Sequence, residues 1–354
     1  MKIALLGDTH FGVRNDNPFF YEYFDKFYNE WFFPYLEDNY IKHVIQLGDL
    51  FDRRKHINFL TLKNTRNIFL DRLNKNFKSW ILVGNHDSYF KNTIEVNSPQ
   101  LLLQEYKNIH GIISPYETSF NGVSVLFIPW VCDDNKDEVE RALKVSKSSI
   151  VVGHFEFSGF DMYKGIPNHV DSSLDISLFK KFEFVFSGHF HHKSTKDNIH
   201  YLGTPYEMTW SDYADEKGFH IFDTDTRELE FVKNPYQIFH KIVYDDKDKD
   251  LTFLEQFDFS HYEKTFVKIV VSNKTNPYMF DMFIEKLEKN NAHNIEVVDD
   301  HLNMGYISEE TIMSSAEDTI SILSKHVQQI QNDIDKKKLE KMMIDLYHEA
   351  ISVE

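Results

Sequence analysis

Residues 1–10 read Met1-Lys2-Ile3-Ala4-Leu5-Leu6-Gly7-Asp8-Thr9-His10, a short apolar run that breaks at glycine into a carboxylate, a hydroxyl and an imidazole. A run of this length bounded by a turn residue reads as a buried strand, and glycine lets the chain turn sharply after it. The same order of events recurs at Gly48-Asp49-Leu50-Phe51-Asp52, Gly84-Asn85-His86-Asp87, Gly153-His154 and Gly188-His189-Phe190-His191. Each of these follows an expected strand, respectively His43–Leu47, Trp80–Val83, Ser149–Val152 and Phe182–Phe186, and Val123–Ile128 reads as one more. Strands that alternate with helix-period segments define an α/β domain. The carboxyl ends of strands in such a sheet line one crevice, so these polar residues, distant in sequence, should meet there.

Working outward, Pro18–Asp38 carries Phe20, Phe24, Phe27, Trp31 and Tyr35 in steps of three and four, with Asn17-Pro18 as cap and first turn. This predicts an amphipathic helix whose aromatic stripe is core and not a base-stacking platform. Further helices are expected over Asn58–Asn74 and Asp134–Val145, and a hairpin turning at Asp223–Thr226 within Gly218–Val232. The polar run Tyr244–Asp250 reads as a linker to a small α+β unit with strand Phe266–Val271, helix Pro277–Lys289 and strand Asn294–Val298. Beyond it, Ile320, Leu323, Val327, Ile330 and Ile334, then Leu339, Met342, Met343, Leu346 and Ala350, predict two amphipathic helices separated by Asp335–Lys338. The expected organisation is therefore a first domain over 1–243, an α+β capping domain over 244–305 and a helical tail over 306–354.

The 354 residues suit about two domains, and 42% hydrophobic with 27% charged residues excludes a disordered chain. No apolar window reaches the ~18 residues of a membrane span, and the first residues lack the pattern of a signal peptide. The lone Cys132 excludes an intrachain disulfide and a thiolate zinc site, which fits a reducing, cytoplasmic setting. Thirty-nine basic against 56 acidic residues give −17, so any nucleic-acid contact must be local or assisted by cations or a partner. Eighteen histidines, several beside Gly, Asp and Asn, point to metal.

A donor set of carboxylate, imidazole and amide favours Mn²⁺, Fe²⁺, Mg²⁺ or Zn²⁺ over soft metals. So many donors could hold two ions about 3.5–4 Å apart, a spacing suited to in-line attack at phosphorus. Taken together, GDTH, GDLFD, GNHD, GH and GHFH over Asp8–His191 resemble the calcineurin-like metallophosphoesterase superfamily, whose fold is a two-sheet sandwich flanked by helices. More narrowly, GDLFDRR, the downstream LGTPYEMTWSDYADEKGF, the cap and the tail resemble the SbcD-type nuclease subunit of recombination and repair complexes, in the version carried by large tailed bacteriophages.

The resemblance implies that Asp8, His10, Asp49 and His191 hold one ion and that Asp49, Asn85, His154 and His189 hold the other, with Asp49 as the bridge. His86 would be catalytic, contacting the phosphate and assisting the leaving group, and the ions would most readily be Mn²⁺, with Mg²⁺ as the alternative. It further implies DNA as substrate, homodimerisation, and an SbcC-like coiled-coil ATPase partner engaged through the tail. Leu101-Leu102-Leu103 and Ile68-Phe69 are the candidate dimer surfaces.

Other readings stand beside these. Asp52 and Asp87 either orient ligand histidines or are solvated carboxylates, and Arg53 and Arg54 either touch substrate phosphates or form an exposed pair. In an extended strand His189 and His191 face one side, while His192 points away. A phosphomonoesterase or small-molecule phosphodiesterase could use the same core, and so could a scaffold. The C-terminal extension and the complete ligand set favour the nuclease, and Val83 before Gly84, where phosphoprotein phosphatases typically have Arg, disfavours that branch. Ile57, where SbcD-like chains often have Pro, leaves the course of that loop open.

Overall fold

The computed structural model describes residues 1–168, 174–299, 323, 327, 330 and 335–351. Strands β1 (Lys2–Leu6), β2 (His43–Gln46), β3 (Lys78–Leu82) and β4 (Ile109–Ile112) lie side by side in parallel. Next come β5 (Tyr116–Phe120), β6 (Val123–Ile128) and β7 (Ile150–His154), a small hairpin of β8 (Asp161–Tyr163) and β9 (Ile166–Pro167), and then β10 (Phe184–Gly188), β11 (Ser194–Lys196) and β12 (Ile199–Tyr201). The hairpin β13 (Gly218–Asp223) and β14 (Leu229–Lys233) returns to pair with β1. Two six-stranded sheets result, in the orders β14-β13-β1-β2-β3-β4 and β11-β12-β10-β7-β6-β5.

The sheets form a sandwich because their strands are apolar on both faces. Ile3, Leu5, Ile45, Leu47, Trp80 and Leu82 of the first pack against Val125, Phe127, Ile150, Val152 and Phe186 of the second. Alternate residues of the second sheet, Leu126, Val151 and Val185, turn instead to Val139 and Leu143 of the helix Lys136–Val145.

The aromatic stripe forms the helix expected of it, running from Pro18 through Asp38, with the Asn17 side chain accepting from Phe19 N at 2.9 Å. Its middle, Phe27–Phe32, widens to five-residue hydrogen bonding, as Phe33 N donates to Tyr28 O. Phe24, Phe27, Phe32 and Phe33 are all buried there, and the Tyr28 ring lies 4.9 Å from Phe69. Phe69 and Ile68 are therefore core residues, which removes them as a dimer surface; the helical stripe around them faces inward. Leu103 is buried as well, and only Leu101 of that trio is strongly exposed.

A second compact unit comprises Thr209–Tyr213 and the described part of Tyr236–Gln331, while the described residues of Asn332–Glu354 cluster with the first. It holds three parallel strands, β15 (Phe239–Asp245), β16 (Phe266–Asn273) and β17 (Asn294–Asp299), and the helix Pro277–Lys289. Tyr244, Val267, Ile269, Val271, Met279, Phe280 and Phe283 form its core. The expected linker over Tyr244–Asp250 is thus corrected. Ile242 and Tyr244 turn inward from one face of the strand, with Phe239 buried on the other, and the buried Asp246 accepts from Thr275 N at 2.6 Å and Asn276 N at 2.9 Å, anchoring the start of helix Pro277–Lys289. In the tail, helix Lys336–Ile351 begins inside the expected break at Asp335–Lys338, while the first tail helix lies largely outside the described residues.

Candidate metal centre

All five motifs sit at carboxyl ends of strands: Gly7 after β1, Gly48 after β2, Gly84 after β3, His154 closing β7 and Gly188 closing β10. Three groups of ligand-type atoms form there, Asp8 with His10 and His191, Asp49 with His154 and His189, and His10 again with Asp52 and His86; within each group the atoms lie inside 4.8 Å of one another. The first two contain the expected ligands. In the first, Nε2 of His10 and Nε2 of His191 face each other at 3.3 Å. In the second, Asn85 Oδ1 lies 2.9 Å from both His154 Nε2 and His189 Nδ1. Asp49 Oδ2 looks both ways, 3.4 Å from His154 Nε2 and 3.8 Å from His10 Nε2. The structure thus brings together Asp8, His10, Asp49, Asn85, His154, His189 and His191.

What holds them is a set of bonds between the motif loops. Asp8 accepts from His189 N at 2.9 Å, Asp49 Oδ1 from His86 N at 2.7 Å, and Thr9 N and His10 N donate to Asp49 O at 3.1 and 3.0 Å. Asp87 is buried and accepts from Gly84 N at 2.9 Å, Leu50 N at 3.1 Å and Ser98 Oγ at 2.9 Å. Its role is to fasten one loop backbone to the next, not to orient a histidine. Asp52 does face one, with Oδ1 3.2 Å from His10 Nδ1. His154 Nδ1 donates to Leu47 O at 2.7 Å, which turns its Nε2 to the site. Tyr206 of the aromatic core donates to Thr9 O at 2.6 Å, tying that core to the first motif.

This closeness needs glycine at particular points. A Cβ on Gly84 would stand 2.1 Å from Asp49 Oδ1 and 2.3 Å from its backbone nitrogen, and Gly48 adopts φ +102°. Three site residues that are not glycine also take left-handed backbone: His10 at φ 43°, Asp49 at 54° and His189 at 83°. His189 therefore leaves the strand and is not extended, which corrects the expected His-x-His geometry. A turn, not strand alternation, sends His189 to Asn85 and His191 to His10, because β10 ends at Gly188.

Charge is concentrated here. Burial, with Asp49 beside it, pushes the Asp8 carboxyl up to about 7, and burial together with Asp49 lifts Asp87 to about 6. Burial opposes charge on His154, but Asp49 and Asp8 outweigh it and raise the imidazole to about 9. His154, with His86 and His10, holds Asp49 well below the usual carboxylate range against its own burial. The mixed oxygen and imidazole donors suit two divalent cations.

His86 donates from Nδ1 to Asp52 O at 2.5 Å, its ring edge-on to His10 with centroids 4.9 Å apart. His192 points away from the site, as expected, to Asp215. Arg53 pairs with Asp16 at 3.2 Å and also bonds Asn15. The sequence reading missed Trp130, whose ring lies 5.8 Å from that of His154 and 5.1 Å from that of His189. Its only signal was a large aromatic just beyond strand Val123–Ile128.

The family model for Calcineurin-like phosphoesterase matches residues 1–193, and the chain belongs to that family. It is a phosphoesterase with the two-sheet metallophosphoesterase fold. It is 32% identical to Exonuclease subunit 1 of Enterobacteria phage T4 over 99% of each chain. It is 27% identical to Putative phosphoesterase 078R of Invertebrate iridescent virus 3 (58% of this chain, 57% of that protein). With the SbcD component of the nuclease SbcCD of Staphylococcus epidermidis it shares 21% identity (65% of this chain, 67% of that protein). Among the described residues no helix is long and apolar enough to cross a membrane.

Proposed function

We propose that this chain is the nuclease subunit of a recombination or repair complex and hydrolyses DNA phosphodiesters with two divalent cations, most readily Mn²⁺. The observation that carries this reading is the position of Asp49 Oδ2 between the two histidine groups. Asp8, His10, Asp49 and His191 would hold one cation, and Asp49, Asn85, His154 and His189 the other, so that Asp49 would serve both. Bound there, such cations would supply charge neutralisation at the phosphate and Lewis acidity toward water. Asp52 and Leu47 O fix the rings of His10 and His154 from behind, and His86, held by Asp52 O, contacts the phosphate and assists departure of the leaving oxygen.

Two relatives are named as a nuclease or exonuclease subunit, which supports DNA as substrate and a partner subunit for this chain. An acidic chain binds a polyanion poorly by itself, so an SbcC-like ATPase that grips DNA fits the −17 charge. The tail is the proposed contact. Ile344 of helix Lys336–Ile351 is buried and Lys341 Nζ lies 3.3 Å from Glu156, while Met342 and Leu346, one turn apart, stay exposed. Homodimerisation belongs to the same proposal.

Incubating the full chain with Mn²⁺ and single- and double-stranded DNA, a nucleoside monophosphate and a cyclic nucleotide tests the reading. Release of nucleotides or DNA fragments is expected, and Asp49→Ala should abolish it together with binding of both cations. Hydrolysis confined to the small molecules, or normal metal binding by Asp49→Ala, overturns it.

A further inference from the structure

Behind the proposed ligand His191 lies a buried charged chain that the reaction itself does not use. Lys217, 5% exposed, donates from Nζ to the backbone carbonyl of His191 at 2.8 Å and pairs with Asp215 Oδ2 at 2.9 Å. The other oxygen of Asp215, whose side chain is only 5% exposed, accepts from Nδ1 of His192 at 2.9 Å. The peptide between His191 and His192 is thus gripped from both sides by one ion pair. Thr204 N adds a second donor to His191 O at 3.2 Å, and His192 N donates to Met162 O at 3.1 Å. A lysine ammonium is costly to bury and is tolerated when it is paired and hydrogen-bonded. Here it donates to the carbonyl of a residue whose ring completes the Asp8 and His10 group.

We infer that Lys217 and Asp215 are positioning residues that set the His191 ring for one of the two cations, the one shared with Asp8 and His10. This rests on the reading of His191 as a ligand. His191 stands two residues beyond the left-handed turn at His189, on a loop that neither sheet holds in register, so its placement depends on these bonds. Losing the ammonium would leave Asp215 buried without its cation and His191 O with one donor fewer. The effect should be confined to one metal equivalent, since Asn85, His154 and His189 are held by one another and by Leu47 O.

The test is Mn²⁺ binding to the full chain by calorimetry and electron paramagnetic resonance, with urea unfolding in parallel. Lys217→Met is expected to weaken one of two Mn²⁺ equivalents by roughly 10- to 100-fold, the usual effect of removing a group that supports a ligand. The Mn²⁺ concentration for half-maximal hydrolysis should rise by the same factor, with kcat recovered at saturating Mn²⁺. Lys217→Arg, which keeps charge and donors, should restore most of the affinity. Both equivalents binding Lys217→Met as they bind the parent, with only the unfolding midpoint lowered, overturns the inference. If Lys217→Met does not fold, Lys217→Arg and Asp215→Asn take its place, with smaller shifts of the same sign expected and unchanged affinity in both overturning it. His191→Ala separates the two levels. Loss of one equivalent supports its role as ligand, whereas two normal equivalents defeat the ligand reading and the inference with it.

Discussion

Replacing Asp87 with alanine should damage the site without touching a proposed ligand. The Asp87 carboxylate is 2% exposed and accepts from Gly84 N, Leu50 N, Ser98 Oγ and, at 3.4 Å, Phe51 N, so its removal strands three buried backbone amides. Each unsatisfied buried donor costs roughly 1–3 kcal/mol, while Ser98 can rotate its hydroxyl elsewhere, so the loss should be roughly 3–9 kcal/mol. Asp87→Asn keeps one acceptor oxygen and sets an NH₂ against an amide, but it also removes a buried charge that burial and Asp49 both disfavour, and should cost less than half as much. Urea unfolding measures both, read as a shift in midpoint at constant slope. Leu50 N and Gly84 N flank Asp49 and Asn85 in the chain, so Mn²⁺ affinity should fall with stability in Asp87→Ala. An Asp87→Ala protein within about 0.5 kcal/mol of the parent, a typical surface effect, would refute the claim that this carboxylate fastens the two loops.

For His86→Asn, both Mn²⁺ equivalents should bind normally while turnover falls by roughly 10²–10⁴, the usual worth of an acid–base group; loss of a metal equivalent in calorimetry would make it a ligand instead. Burial, with Lys193 and His200 nearby, lowers the His220 imidazole to about 3. Between pH 6.5 and 3 the unfolded chain therefore binds a proton that the folded chain refuses, so stability should fall as pH drops, by up to about 1.4 kcal/mol per pH unit. His220→Phe should flatten that slope in unfolding curves taken from pH 7 to 5, and an unchanged slope counts against it. Charging the exposed tail residues, Met342→Glu with Leu346→Glu, should weaken co-purification of an SbcC-like partner at least tenfold while leaving Mn²⁺-dependent hydrolysis of short DNA intact; undiminished association removes this face from the interface.

The five motifs were legible because each is a local event, a buried strand that ends in glycine and a polar side chain, and the rule that strand ends share a crevice assembles them. The helix Pro277–Lys289 was legible for the same reason, with its cap Asn276 and its apolar stripe all in one segment. What escaped depends on partners far apart in the chain. Asp87 stays open between orienting a histidine and standing in solvent until Leu50 and Gly84 are seen against it, and nothing local marks Lys217 before His191 O is. Periodicity failed at Phe239–Asp245 because the acidic run masked a short inward alternation, and at Ile68 and Phe69 because hydrophobicity alone does not separate a core face from an interface.

The cost of building the centre explains why so much of the fold surrounds it. Asp8, Asp49 and Asp87 are each nearly inaccessible, and like charges so placed disfavour one another. Left-handed backbone at His10, Asp49 and His189 adds strain of about 1–3 kcal/mol per residue. These terms are met locally by amides from the next loop: His189 N for Asp8, His86 N for Asp49, and Leu50 N and Gly84 N for Asp87. They are met at longer range by the sandwich core, whose strands fix the loop roots, and by the aromatic helix, which reaches Thr9 through Tyr206. The amides answer only part of the carboxylate demand; the imidazole of His154 answers more of it by holding its proton against Asp49, while the facing nitrogens of His10 and His191 stay 3.3 Å apart. Divalent cations would take the place of that proton charge, so the donors that the apoprotein balances with imidazolium are those that would coordinate metal.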